Sequence, residues 1–176
     1  MKKLILVYGC IAGAIVSLLM LAGMMLMTNG LVNFDNGVVI GYASMVIAFV
    51  TIVVAIKIYR DEHQQGVITF VQALKIGLAI TLIASLLYAI TWEVYYNSSA
   101  QDFMDRYSSH YIGKLKDEGA SEEEIKKAMV KMEEIKDLYK QPVVRFALTL
   151  SEILPVGIVI TLVSSFAFRK KKVATS

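Results

Sequence analysis

The chain has 176 residues and a formal net charge of +3; 56% of its residues are hydrophobic and 19% charged. Its mean hydropathy of +0.59 excludes an ordinary water-soluble domain, because the apolar residues are gathered into long blocks separated by short charged ones. The excess positive charge sits near the two ends, in Lys2 and Lys3 and in Arg169, Lys170, Lys171 and Lys172. That placement points to orientation in a bilayer and contact with lipid headgroups rather than to nucleic acid.

The first apolar block follows Met1, Lys2 and Lys3, an opening that looks like a secretory leader. It runs 24 residues, from Leu4 to Met27, well beyond the roughly 7–15 of a signal core, so it is expected to remain as a helix. Cys10 lies inside it, and bulky Tyr8 fits a lipoprotein acylation site poorly. As the single cysteine, Cys10 excludes an intramolecular disulfide.

Four spans are expected, at about 4–27, 38–56, 71–95 and 143–168, each long enough for a bilayer core that takes about 20 residues. The loop after the first span has no Lys or Arg, whereas Lys57 and Arg60 follow the second and Lys75 stands just inside the third. All short basic flanks therefore fall on one side. The positive-inside rule makes that side cytoplasmic and puts both termini there, in a bacterial inner membrane. Before the third span, Thr69 and Gln72 have capping-box spacing and Gly66 permits a tight turn. Trp92, Tyr95 and Tyr96 are expected in the outer headgroup zone.

The segment 97–142 reads as an extracytoplasmic helical-hairpin insertion within a single membrane domain. It carries eight basic and ten acidic residues. Phe103, Tyr107, Tyr111 and Leu115 form a stripe at four-residue spacing, Gly119 and Ala120 interrupt it, and Ser121 with Glu124 makes a second capping box. Ile125, Met129, Met132 and Tyr139 continue an apolar stripe beyond the break.

Small residues then define packing faces. In the third span Ala73, Gly77, Thr81, Ser85 and Ala89 recur every four positions, with Glu93 continuing the row. Gly9, Gly13 and Ser17 do the same in the first span, Gly37 and Gly41 open the second, and Gly157, Thr161 and Ser165 line the fourth. Helices in lipid associate by close approach, which such faces allow, so a compact all-α bundle is expected, with contacts within one chain or between chains.

Ionisable residues in the spans are the candidates for function. Glu152 leads: it lies mid-span, three residues before Pro155 and five before Gly157. Pro155 lacks an N–H and crowds the carbonyl of Ser151, so a kink is expected beside a carboxylate able to bind a cation or carry a proton. The alternative is a buried Glu152 held by a hydroxyl, a tyrosine or Arg145. Glu93 can pair with Arg145 as an ion pair near the outer surface, and Lys75 can snorkel. His63 and His110 fall on opposite sides and cannot share a metal. No catalytic, cofactor-binding or metal-binding pattern is present, so no enzyme is expected.

The chain resembles a family of small membrane proteins catalogued as domain of unknown function 4199, from Bacteroidota. The resemblance rests on Asn36-Gly37-Val38-Val39-Ile40-Gly41-Tyr42-Ala43-Ser44-Met45, on Gly66-Val67-Ile68-Thr69-Phe70, on Thr91-Trp92-Glu93 and on Glu152-Ile153-Leu154-Pro155-Val156-Gly157. It implies a four-span inner-membrane protein with a large loop, marks Glu93, Glu152, Pro155 and Gly157 as positions of interest, and carries no activity. The expected role is a structural or accessory protein that binds other membrane proteins through its small-residue faces or its hairpin. The alternative is an oligomeric transporter or ion- or proton-conducting subunit using Glu152.

Overall fold

A computed structural model describes residues 1–169; Lys170, Lys171 and Lys172 of the basic tail lie outside the described residues. Among the described residues the fold is all-α, with helices α1 (Lys2–Thr28), α2 (Phe34–His63), α3 (Phe70–Ser99), α4 (Phe103–Asp117), α5 (Glu122–Tyr139) and α6 (Pro142–Phe168). Four of them, α1, α2, α3 and α6, are long and apolar enough to cross a membrane. At 27 to 30 residues each, they measure about 40–45 Å against a hydrocarbon thickness of about 30 Å. The protein is an integral, multi-pass membrane protein.

The helix ends follow local chemistry. Asn33 caps α2 by accepting from the Asn36 N–H at 2.9 Å. Thr69 Oγ1 accepts from the Gln72 N–H at 3.2 Å and Gln72 Oε1 accepts from the Thr69 N–H at 3.1 Å, the expected capping box. Ser121 and Glu124 form the second one at the start of α5. Gly119 closes α4 with φ +77°, letting the Ala120 N–H reach the Leu115 carbonyl at 3.0 Å. The second span is longer than the sequence indicates. Helix α2 runs on through Lys57 and Arg60 to His63, because charged residues at a membrane surface keep a helix's internal hydrogen bonds while their heads reach water.

The chain divides into two compact units. The first comprises Met1–Ala89 and α6 from Leu150 onward. Its core is built from Phe49, Ile52, Ile56, Ile76, Ile80 and Ile153, all fully buried. Here the small-residue faces are used within one chain. A Cβ on Gly9 would stand 2.9 Å from Ile83, and one on Gly13 2.6 Å from Leu87, so α1 lies directly against α3. The α3–α6 contact is reciprocal: Gly77 receives the Thr161 side chain, and Gly157 receives that of Thr81. Thr81 and Thr161 face each other at 3.4 Å between hydroxyls, and Ser85 beside them is fully buried. The pairing runs in opposite directions along the two helices, as antiparallel neighbours require. Gly41 differs, since a Cβ there would meet open space; the Gly37–Gly41 face of α2 is not a packing seam at that position. Helix α6 continues without a break through Pro155.

The second unit is Ile90–Thr149. In it α4 packs on α5, with Met104 and Met132 buried and Lys136 bridging to Asp105.

Candidate functional site

The expected partnership of Glu93 with Arg145 is present and tighter than an interfacial ion pair. Both lie in the second unit. Arg145 Nε donates to Glu93 Oε1 at 2.8 Å and its Nη2 to Oε2 at 2.6 Å, a two-pronged pairing. The Arg145 side chain is only 2% exposed and that of Glu93 18%. A third guanidinium hydrogen bond reaches the Tyr139 carbonyl at 3.0 Å, and the Tyr96 ring lies 3.9 Å from the charge centre.

Aromatic side chains enclose this pair. Trp92 Nε1 donates to the Tyr139 hydroxyl at 2.8 Å, Phe103 sits edge-on to Trp92 with centroids 5.1 Å apart, and Tyr96 is edge-on to Tyr139 at 5.6 Å. Trp92 and Tyr96 are therefore buried. The cause is Arg145: a buried guanidinium needs acceptors and π faces, and these rings and the Tyr139 carbonyl supply them. With its partners supplied from within the unit, the cluster acts as a clamp joining α3, α5 and α6.

Glu152 is placed differently. It belongs to the first unit and is exposed. Among the described residues its carboxylate takes part in no hydrogen bond or ion pair, although neighbouring side chains crowd it.

Glu152 lies within the apolar span of α6. Pro155 is exposed on the same helix, and Gly157 is buried against Thr81 and Phe49. Gly157 is thus a packing residue, separate from the carboxylate.

Other candidates stay apart. Lys75 is exposed and His63 stacks on Tyr59 with centroids 5.5 Å apart. No group of three or more His, Cys, Asp or Glu able to hold a metal occurs among the described residues.

No curated protein and no solved structure matches this chain. One family model does, over residues 7–170, and its description is a protein of unknown function, DUF4199. That match takes in all four spans, the Glu93–Arg145 cluster, Glu152 and the α4–α5 pair, so the chain belongs to the DUF4199 family.

Proposed function

We propose that this is a non-catalytic accessory protein of a bacterial inner membrane, which binds another integral membrane protein through the exposed face of α6. The observation that carries this reading is Glu152, an exposed carboxylate within an apolar span. Ionisable residues in spans almost always face a bundle interior or a water-filled cavity, because lipid solvates a charge poorly. A Glu on an outer face is explained when another protein covers that face. The small-residue faces of α1, α3 and α6 support the same reading, since Gly9, Gly13, Gly77 and Gly157 are engaged inside the chain and leave the Glu152 face for a partner. Both termini lie in the cytoplasm on this reading, with α4 and α5 outside.

Affinity purification of the tagged protein from native membranes in mild detergent, with mass measurement of the intact complex, tests the proposal. A stoichiometric heteromeric complex is expected. Recovery of the protein alone would sink it.

A second reading, a transport or proton-conducting subunit, draws on the same carboxylate lying three residues before Pro155 within a span. Ion or proton flux in proteoliposomes that survives Glu152→Gln intact would remove Glu152 from any such path.

A further inference from the structure

Two arginines seated on phenylalanine rings mark the end of the first unit where α2 and α6 stop and α3 begins. The Arg60 guanidinium of α2 lies over the Phe168 ring in the last turn of α6, 5.1 Å from its centroid. Phe166 packs on Phe70 at the start of α3, with centroids 4.7 Å apart, and the Arg169 guanidinium lies 4.8 Å from the Phe166 centroid. Aromatic contacts thus tie the three helix ends together, and a cation sits at two of them. Arg60 is held further by Asp61, to which Nε donates at 2.6 Å and Nη2 at 3.1 Å, and a guanidinium has N–H groups beyond those two.

More cations gather at this end. Met27, near the far end of α1, lies against Gly37 at the start of α2, so Lys2 and Lys3 stand on the same side as Arg60. Lys57 and Lys75 stand between one and two turns inside their helices, counted from His63 and from Phe70. Both are exposed, and among the described residues neither takes part in an ion pair or a hydrogen bond. The exposed carboxylates here are Glu62 and Asp61, the second of them already paired with Arg60. The balance is strongly positive.

Placement selects the anion. A soluble anion or an acidic peptide arrives from water and meets the tips of the helices. Lys57 and Lys75 are set back along spans, beside the exposed apolar residues Val54, Val71 and Leu78. Their stems can lie on those neighbours while the ammonium groups reach outward, and the anion at that level is a lipid phosphate. Arginine adds planar hydrogen bonding suited to phosphate oxygens. Orientation in the bilayer alone asks only for flanking positive charge, not for guanidinium groups fixed on rings.

We infer that this end of the bundle binds anionic phospholipid, engaging the headgroup phosphate through Lys57, Lys75 and the corner formed by Arg60 and Arg169. Binding follows whichever side of the membrane this end faces, and with or without a protein partner.

Native mass spectrometry of the full chain in mild detergent, titrated with phosphatidylglycerol or with zwitterionic phosphatidylcholine, tests this. Phosphatidylglycerol should bind at least about tenfold more tightly. Each exposed cation contributes about fivefold to affinity for an anionic surface, so Lys57→Gln, Lys75→Gln and Arg169→Gln together should weaken that binding about a hundredfold. Removing three charges elsewhere, as Lys126→Gln, Lys127→Gln and Lys131→Gln on α5, should leave it unchanged, and Lys57→Arg with Lys75→Arg should retain it. Circular dichroism melts of all variants should match the wild type. Equal binding of the two lipids overturns the inference, as does a triple variant that keeps full affinity or an equal loss from the α5 variant. Displacement of the lipid by millimolar inorganic phosphate would also overturn it, by showing a site for the free anion.

Discussion

Replacing Arg145 with Met should be among the most damaging single changes in the protein. The substitution preserves length and apolar stem but deletes the charge. It removes hydrogen bonds of 2.8 and 2.6 Å to Glu93 and of 3.0 Å to the Tyr139 carbonyl, and the cation–π contact to Tyr96 at 3.9 Å. It also leaves Glu93, only 18% exposed, without compensation. Breaking a buried pair in this way costs about 3–5 kcal/mol, a factor of about 150 to 5,000 in the folding equilibrium. The converse also follows. Removing both charges, as Glu93→Leu with Arg145→Met, deletes the attraction together with its desolvation cost, so the double variant should recover most of the loss. Arg145→Lys keeps the charge but loses the two-pronged geometry and should fall between them. The assay is denaturant unfolding in detergent micelles followed by the fluorescence of Trp92, the chain's single tryptophan, which donates to Tyr139 within the same cluster. An Arg145→Met protein within about 1 kcal/mol of wild type, or a double variant no better than the single, would refute the assignment of this cluster as a clamp.

Three further predictions follow from the packing and the caps. Gly77→Ala drives a Cβ into the Thr161 side chain and should cost about 1–3 kcal/mol, with Thr161→Ala suppressing most of it, while Gly41→Ala meets open space and should be neutral; the same unfolding assay separates them. The Ser121 hydroxyl and N–H donate to Glu124 and hold its carboxyl below its ordinary 4.5. The support this gives the start of α5 is therefore complete above pH 4.5 and disappears as pH falls through the lower folded value, so amide exchange in the first turn of α5, corrected for intrinsic rates, should quicken only below pH 4.5, and Glu124→Gln should abolish that dependence. For topology, a Cys10→Ser protein with a new cysteine at Glu118 should react with a membrane-impermeant thiol reagent from outside intact cells, and one with a cysteine at Ser176 only after the membrane is opened; the reverse pattern would invert the orientation.

Much of this protein was legible from its residues because the bilayer imposes simple demands. A span must be apolar, long and internally hydrogen-bonded, so the four spans, the Thr69–Gln72 and Ser121–Glu124 caps and the break at Gly119 all follow from local composition. The small-residue rows of α1, α3 and α6 were legible as packing faces for the same reason: only small side chains let helix backbones approach in lipid. Their partners were not legible. That Gly77 meets Thr161, that Gly157 meets Thr81, and that Gly41 meets nothing depend on how the helices are rotated about their axes, and rotation is set by all neighbours at once.

The two carboxylates show the same division. Sequence placed both Glu93 and Glu152 in helices of similar character and allowed either of them to be the partner of Arg145. Only the tertiary arrangement separates them, enclosing Glu93 with Arg145 among Trp92, Tyr96 and Tyr139 and leaving Glu152 exposed. Residue order and hydropathy determine how deep a side chain lies in a membrane. Which way it faces at that depth is decided by helix packing, and that is what encloses Glu93 and leaves Glu152 exposed.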